Sequence, residues 1–291
     1  QANNPRMLPS RVSLNKTLCK WENGLAGIGG LHAIQGKTTA TNHPIFIIGT
    51  GRCGSTLFSR VLESHEDILI YPTEANNLFY PKTYPFRDAQ IETPPILEDP
   101  GLYTELSVGA WPAGHENKIR NTLRGFQCLN RRGAVFMLKS AMISFLIPNL
   151  LRLFPEAKFI HLYRYGPSVV TSLVEKELHK YKTLATRSGF LVWAAGYWNS
   201  CIKEIDRANT EYSLTANGKL LELSYESFCD DPKGVSTKLA RFVRCDPAKF
   251  TFDFSTVKST NYKADAMSPD DLKLVCELMK SSLDLKGYLE T

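Results

Sequence analysis

The stretch Pro44–His65 reads PIFIIGTGRCGSTLFSRVLESH. An apolar run, Ile45 to Ile48, enters a glycine-rich loop, Gly49-x-Gly51-x-x-Gly54, and a helical pattern begins near Ser55. This arrangement builds an anion site, because tight glycine turns aim backbone N–H groups at a ligand and the helix N-terminus adds its positive end. A second short apolar run, Ile68–Tyr71, ends at Pro72-Thr73-Glu74, so the segment opens a βαβ unit.

Outward from that unit the alternation continues. Ala134–Leu138 reads as a strand, followed by a helix through Phe154 that Pro155 closes. Lys158–Tyr163 is the next strand, and Pro167 suits the first turn of a helix reaching Leu178. A helix over Phe190–Arg207, a strand over Lys219–Leu223 and a helix over Pro232–Val243 complete the pattern. Strands alternating with helices predict an α/β fold, a central parallel sheet flanked by helices. Residues 1–40, with Gly24, Gly27, Gly29 and Gly30, read as a poorly structured arm, and 41–291 as a single domain. Within it, 76–130 carries Pro81, Pro85, Pro94, Pro95, Pro100 and Pro112 and reads as acceptor-binding loops or a cap.

Composition narrows the partners. A net charge of +6 from 35 basic and 29 acidic residues, scattered along the chain, suits a small anionic ligand and gives no nucleic-acid stripe. No apolar run reaches the roughly 18 residues of a membrane span. Seven widely spaced cysteines without a C-x-x-C pair predict reduced thiols and a cytoplasmic setting. His32, His43, His65, His115, His161 and His179 have no ligand spacing, so no metal is expected.

Three readings compete for the loop. Its glycines satisfy the dinucleotide fingerprint, with Glu74 placed to meet a ribose in an NAD-dependent oxidoreductase. Gly49, Gly54 and Thr56 also approach the nucleotide-triphosphatase loop, but Ser55 stands where its lysine belongs. Arg52 points to a third ligand, one with more exposed anionic oxygen, for which a guanidinium offers a rigid fork of donors. A non-catalytic nucleotide-binding module is the remaining alternative.

Here the chain resembles the sulfotransferases that use 3′-phosphoadenosine 5′-phosphosulfate, a family with a P-loop-like α/β architecture. Arg52-Cys53-Gly54-Ser55-Thr56-Leu57 resembles their 5′-phosphosulfate loop. Phe159 to Ser172, FIHLYRYGPSVVTS, resembles their 3′-phosphate site, which gives Arg164 and Ser172 that role. Leu138-Lys139-Ser140 and the block from Leu223 to Phe228 are similar to further family segments, the latter placing Tyr225 near the nucleotide. Ser259, Thr260 and Lys263 sit where some members close over the 3′-phosphate. The resemblance implies the phosphosulfate as sulfuryl donor, no metal, and a small-molecule acceptor hydroxyl. Sulfation of a carbohydrate, an amine or carbamoyl nitrogen, an acyl-chain hydroxyl or a peptide tyrosine stays open.

Transfer needs a base, positive charge for the moving group and stabilisation of the departing phosphate. Glu74, 22 residues after Arg52, resembles the glutamate base of one branch of the family; His115 is the rival, as in the histidine branch. Lys139 resembles the lysine that reaches the donor's bridging oxygen, and Arg52 holds the transferring group.

Overall fold

The computed structural model describes residues 11–35, 43–72, 74, 76–80, 111–130, 135–178 and 186–289. Five strands form one parallel sheet: β1 (Ile45–Gly49), β2 (Ile68–Ile70), β3 (Val135–Lys139), β4 (Lys158–Tyr163) and β5 (Leu220–Ser224), in the order β2-β3-β1-β4-β5. The central strand β1 sets Ile45 beside both Met137 and Lys158, and all five of its residues are buried. That continuous burial is what a parallel strand covered on both faces requires. Successive side chains then enter opposite layers. Phe46 and Ile48 join Phe136, Leu138 and Phe159 in one layer, with Phe190, Trp198 and Ile202 of a long helix packed against them. Ile45 and Ile47 join Met137, Ile160 and Leu162 in the other, with Phe58, Val61, Leu62, Leu239 and Val243. The α/β fold with a parallel sheet between helices is as the sequence predicts.

Helix starts follow local chemistry. Asp231 accepts from Gly234 N at 2.8 Å and Ser268 from Asp271 N at 3.1 Å, each just before a proline that opens a helix. The expected single helix after β3 is instead divided into a 3-10 turn, Met142–Leu146, and an α-helix, Ile147–Leu153. Pro148 stands at the start of the second piece, where its missing N–H is harmless; inside a longer helix it would break the ladder.

The N-terminal reading needs correction. Residues 11–34 do not form an unstructured arm; they form helix α1 (Arg11–Ile34), laid against the helix His115–Leu129. A Cβ on Gly29 would lie 1.9 Å from the Asn121 carbonyl oxygen, and one on Gly125 would lie 2.0 Å from that of Leu25. Gly29, one of the four glycines that suggest disorder, is thus a site where two helix backbones touch, with Gly125 its counterpart on the facing helix, while a Cβ on Gly24 or Gly27 would meet nothing within 4 Å. Trp21 and Phe126 then meet at 6.1 Å, and Thr122 Oγ1 donates to the Glu22 carbonyl at 3.2 Å. Part of the 76–130 segment is likewise helical, over Asn76–Phe79 and His115–Leu129, while the proline-rich 81–110 lies outside the described residues.

Among the described residues no helix is long and apolar enough to cross a membrane. Cys53, Cys128, Cys201, Cys229, Cys245 and Cys276 are free thiols.

Candidate functional site

The crossover from β1 leads through helix α2 (Ser55–Glu63) to β2 on one side of β1, while β4 and β5 lie on the other. Such a divergence leaves a crevice at the carboxyl ends of the strands, the usual ligand position in an open α/β sheet.

The loop after β1 is fixed from below. Ser144 Oγ donates to the Gly49 carbonyl at 2.9 Å and accepts from Gly49 N at 3.0 Å, and Gly51 N donates to Tyr197 Oη at 3.1 Å. Arg52 adopts φ 69°, an uncommon left-handed conformation for a non-glycine residue, costing about 1–2 kcal/mol. Gly54 follows at φ 95° as the N-cap of α2 and provides no side-chain cap. Gly54 thus offers no side chain to the first-turn N–H groups of α2, which stand at the mouth of the crevice at the positive end of the helix. The Tyr225 ring closes on the same glycine: a Cβ on Gly54 would lie 2.4 Å from its Cδ2.

The second wall comes from β4. Arg164 is buried, and its guanidinium lies 4.6 Å from the Tyr225 ring centroid. Nε donates to Asn261 Oδ1 at 2.8 Å, one terminal nitrogen to the Arg52 carbonyl at 3.2 Å, and the other to Thr260 O and Oγ1 at 2.7 and 3.0 Å. Burial lowers its pKa, with Tyr225 and Glu226 opposing; an arginine remains charged there. Arg164 therefore does more than face the crevice: it ties the β1 loop to the 260–261 segment. Ser172, on the helix Gly166–Glu177, accepts from Arg52 Nε at 3.1 Å.

Between these walls lies a cleft of about 380 Å³. Of the binding residues expected from sequence, Arg52, Gly54, Ser55, Thr56, Leu57, Arg164, Ser172, Tyr225 and Lys263 line it. Two do not. Cys53 turns into the core, where burial pushes its thiol up to about 11. Ser259 instead accepts from Asn261 N at 3.2 Å, and its neighbour Thr260 lines the cleft. Arg60 also lines it and escaped the sequence reading; it stands four residues after Thr56, on the same face of α2. Among the described lining residues are four cations, Arg52, Arg60, Arg164 and Lys263, and no carboxylate. One of the four, Lys263, pairs with Glu175 from outside that lining.

Glu74 and Lys139 stand further along the same sheet edge. Lys139 ends β3, in register with Ile47 of β1, and its Nζ donates to Glu74 Oε1 at 2.8 Å. The lysine side chain is 17% exposed and the glutamate 49%, so the pair opens to solvent on its acidic side. Glu74 adds to burial in raising the Cys53 thiol, which brings its charge within electrostatic reach of the loop. His115 is buried at the start of its helix, its ring 5.8 Å from that of Trp111, and is not among the residues lining the cleft. Among the described residues there is no cluster of three metal-ligating side chains.

No curated protein matches the chain. Solved structures do, at low identity. Sulfotransferase STF1 from Mycobacterium tuberculosis is 16% identical with a TM-score of 0.59, over 90% of this chain and 81% of that one. The sulfotransferase domain from the curacin biosynthetic pathway is 18% identical with a TM-score of 0.53, over 87% of this chain and 100% of that one. Sulfotransferase STF9 from Mycobacterium avium is 14% identical with a TM-score of 0.54, over 85% and 77%. These likenesses concern the fold. The sequence itself goes further, since the profile described as the sulfotransferase family matches residues 44–246, from the strand before the loop to beyond Tyr225. On that match the chain belongs to the sulfotransferase family.

Proposed function

We propose that the protein transfers a sulfuryl group from 3′-phosphoadenosine 5′-phosphosulfate to a hydroxyl of a small-molecule acceptor. The observation that carries this reading is the cleft at the carboxyl edge of the sheet, whose described lining residues include four cations and no carboxylate. Its volume falls within the roughly 300–1,000 Å³ of small-molecule sites. The donor set suits an anion with two separated charged ends: the start of α2 with Arg52 at one, Arg164, Thr260 and Lys263 at the other. Tyr225 offers an aromatic face between them. When bound, the donor supplies an activated sulfur whose bond to the phosphate oxygen breaks as the acceptor oxygen attacks.

The residues of this chain take the remaining roles. Arg52 and the first-turn N–H groups of α2 hold the anionic oxygens and offset charge on the departing phosphate. Lys139 engages Glu74 Oε1, which orients the carboxylate and leaves Oε2 to take the acceptor's proton. Lys139, at the carboxyl end of β3 and in register with Ile47 of β1, takes the role of neutralising the leaving oxygen. The dehydrogenase alternative fits the cleft poorly, since Arg52 occupies a loop where a pyrophosphate needs close backbone approach.

The direct test is release of 3′,5′-diphosphoadenosine from the donor in a screen of hydroxyl acceptors. Acceptor-dependent release, lost in Arg52→Ala, supports the assignment. Tight donor binding without transfer to any acceptor would favour the non-catalytic module.

A further inference from the structure

Asn261 is held at both ends of its amide. Oδ1 accepts from Arg164 Nε at 2.8 Å, and Nδ2 donates to Glu226 Oε1 at 2.6 Å. Only one orientation of an amide satisfies a guanidinium on one side and a carboxylate on the other. The backbone of Asn261 is tied as well, its carbonyl to Ser168 Oγ at 3.0 Å and its N–H to Ser259 Oγ at 3.2 Å. Glu226 in turn is shared. Oε1 also accepts from Tyr165 N at 3.0 Å, and Oε2 accepts from Tyr288 Oη at 2.7 Å.

Tyr288 lies just beyond the last helix, Pro269–Leu285, and its ring rests 5.4 Å from Tyr165 and 6.1 Å from Tyr163. Two residues earlier, Lys286 pairs with Glu222 Oε1 on β5 at 2.5 Å and lies 5.2 Å from the Tyr163 ring. The C-terminal segment is thereby strapped across β4 and β5, and a continuous chain of hydrogen bonds runs Tyr288–Glu226–Asn261–Arg164 to the cleft wall.

We propose that Glu226 and Tyr288 are positioning residues for the cleft: through Asn261 they hold Arg164, and with it the segment bearing Thr260 and Lys263, in the arrangement that recognises a second phosphate on the nucleotide. This rests on the donor reading given under Proposed function. Neither residue lines the cleft, so neither acts on the nucleotide directly. A purely structural role would lower melting temperature, or weaken all nucleotides alike. A positioning role is selective, because only a ligand with the second phosphate depends on the Arg164 end.

The test is calorimetric binding of 3′,5′-diphosphoadenosine and adenosine 5′-phosphate to the full chain, its Tyr288→Phe, Glu226→Ala and Glu226→Gln variants, with melting temperatures alongside. Loss of a buried hydrogen-bond partner is expected to weaken the diphosphate about threefold in Tyr288→Phe and about tenfold in Glu226→Ala, with the monophosphate within about twofold. Glu226→Gln should recover most of the loss, since its amide oxygen still accepts from Asn261 and Tyr165 while its NH₂ meets the tyrosine hydroxyl. If Glu226→Ala does not fold, Tyr288→Phe and Glu226→Gln keep the comparison decisive. Equal affinities for the diphosphate in parent and Tyr288→Phe, or equal weakening of both nucleotides, would overturn the positioning role. A parent protein that fails to prefer the diphosphate would instead sink the donor reading beneath it.

Discussion

Arg52 Nε donates to Ser172 Oγ at 3.1 Å, joining the loop after β1 to the helix after β4 across 120 residues of sequence. Two segments that read as separate anion sites along the chain therefore meet in one cleft. The serine fixes the plane of the guanidinium and leaves its terminal nitrogens for a ligand. Ser172→Ala should weaken nucleotide binding about three- to tenfold through loss of one hydrogen bond to a charged group. Calorimetry checks this, and unchanged affinity would show that Arg52 needs no such support.

Gly54 is constrained twice, by φ 95° and by the Tyr225 ring on which a Cβ would intrude at 2.4 and 2.6 Å. Gly54→Ala must displace a ring that also stacks under Arg164 at 4.6 Å. The expected outcome is a loss of about 1–3 kcal/mol in stability together with loss of nucleotide binding. Denaturant melts and a binding titration on the same sample read both effects. An alanine variant that melts and binds like the parent would mean that the loop has another conformation.

The Lys139–Glu74 pair predicts a split between binding and chemistry. Glu74→Gln should cut turnover by roughly 10²–10⁴ while leaving donor affinity nearly intact. Full turnover in that variant would remove the base assignment. His115→Gln serves as the companion measurement, and here turnover should persist.

Acid should unfold the protein through the far side of β4. His161 is fully buried, with Nδ1 2.8 Å from Glu222 Oε1 and Nε2 without a hydrogen-bond partner. Burial lowers its pKa from 6.5, although the Glu222 hydrogen bond opposes it. Burial acts to raise the Glu222 carboxyl, but the His161 hydrogen bond and the Lys286 ammonium outweigh it and bring the value from 4.5 to about 2. Both folded-state values lie below the unfolded ones, so both groups contribute stability at neutral pH that is lost on acidification. The loss begins as pH falls below 6.5 for the histidine and runs from 4.5 to about 2 for the glutamate. With the carboxylate partly open to solvent, Glu222 is worth on the order of 1–2 kcal/mol. Glu222→Gln should thus be less stable than the parent at pH 7, and the two should converge as pH falls toward 2. Urea melts across that range test the sign; a constant difference would place the effect elsewhere.

The parts of the site that were legible in sequence are those set by local pattern. An apolar run ending in glycines marks β1, its loop and α2; an arginine at the end of KFIHLY followed by Pro167 marks Arg164 and the helix carrying Ser172. Each needs only the chain on either side of it. The rest depends on tertiary approach. Gly29 looks like a breaker until two helix backbones are seen to touch there. Arg60 joins the cleft only because the face of α2 bearing Thr56 looks into it, a helical-periodicity signal that was present but unused. The Glu226–Asn261–Arg164 chain links residues 35 and 97 positions apart and leaves no local trace.

The central claim is that one cleft holds a nucleotide by two separate anionic ends. Calorimetric binding of 3′,5′-diphosphoadenosine, adenosine 5′-phosphate and NAD to the unmodified protein tests it most directly. A preference of at least about tenfold for the diphosphate is predicted, since a second phosphate gains charge-assisted bonds at the Arg164 end. Equal binding of the two adenosine phosphates, or tighter binding of NAD, would contradict it and return the loop to a dinucleotide.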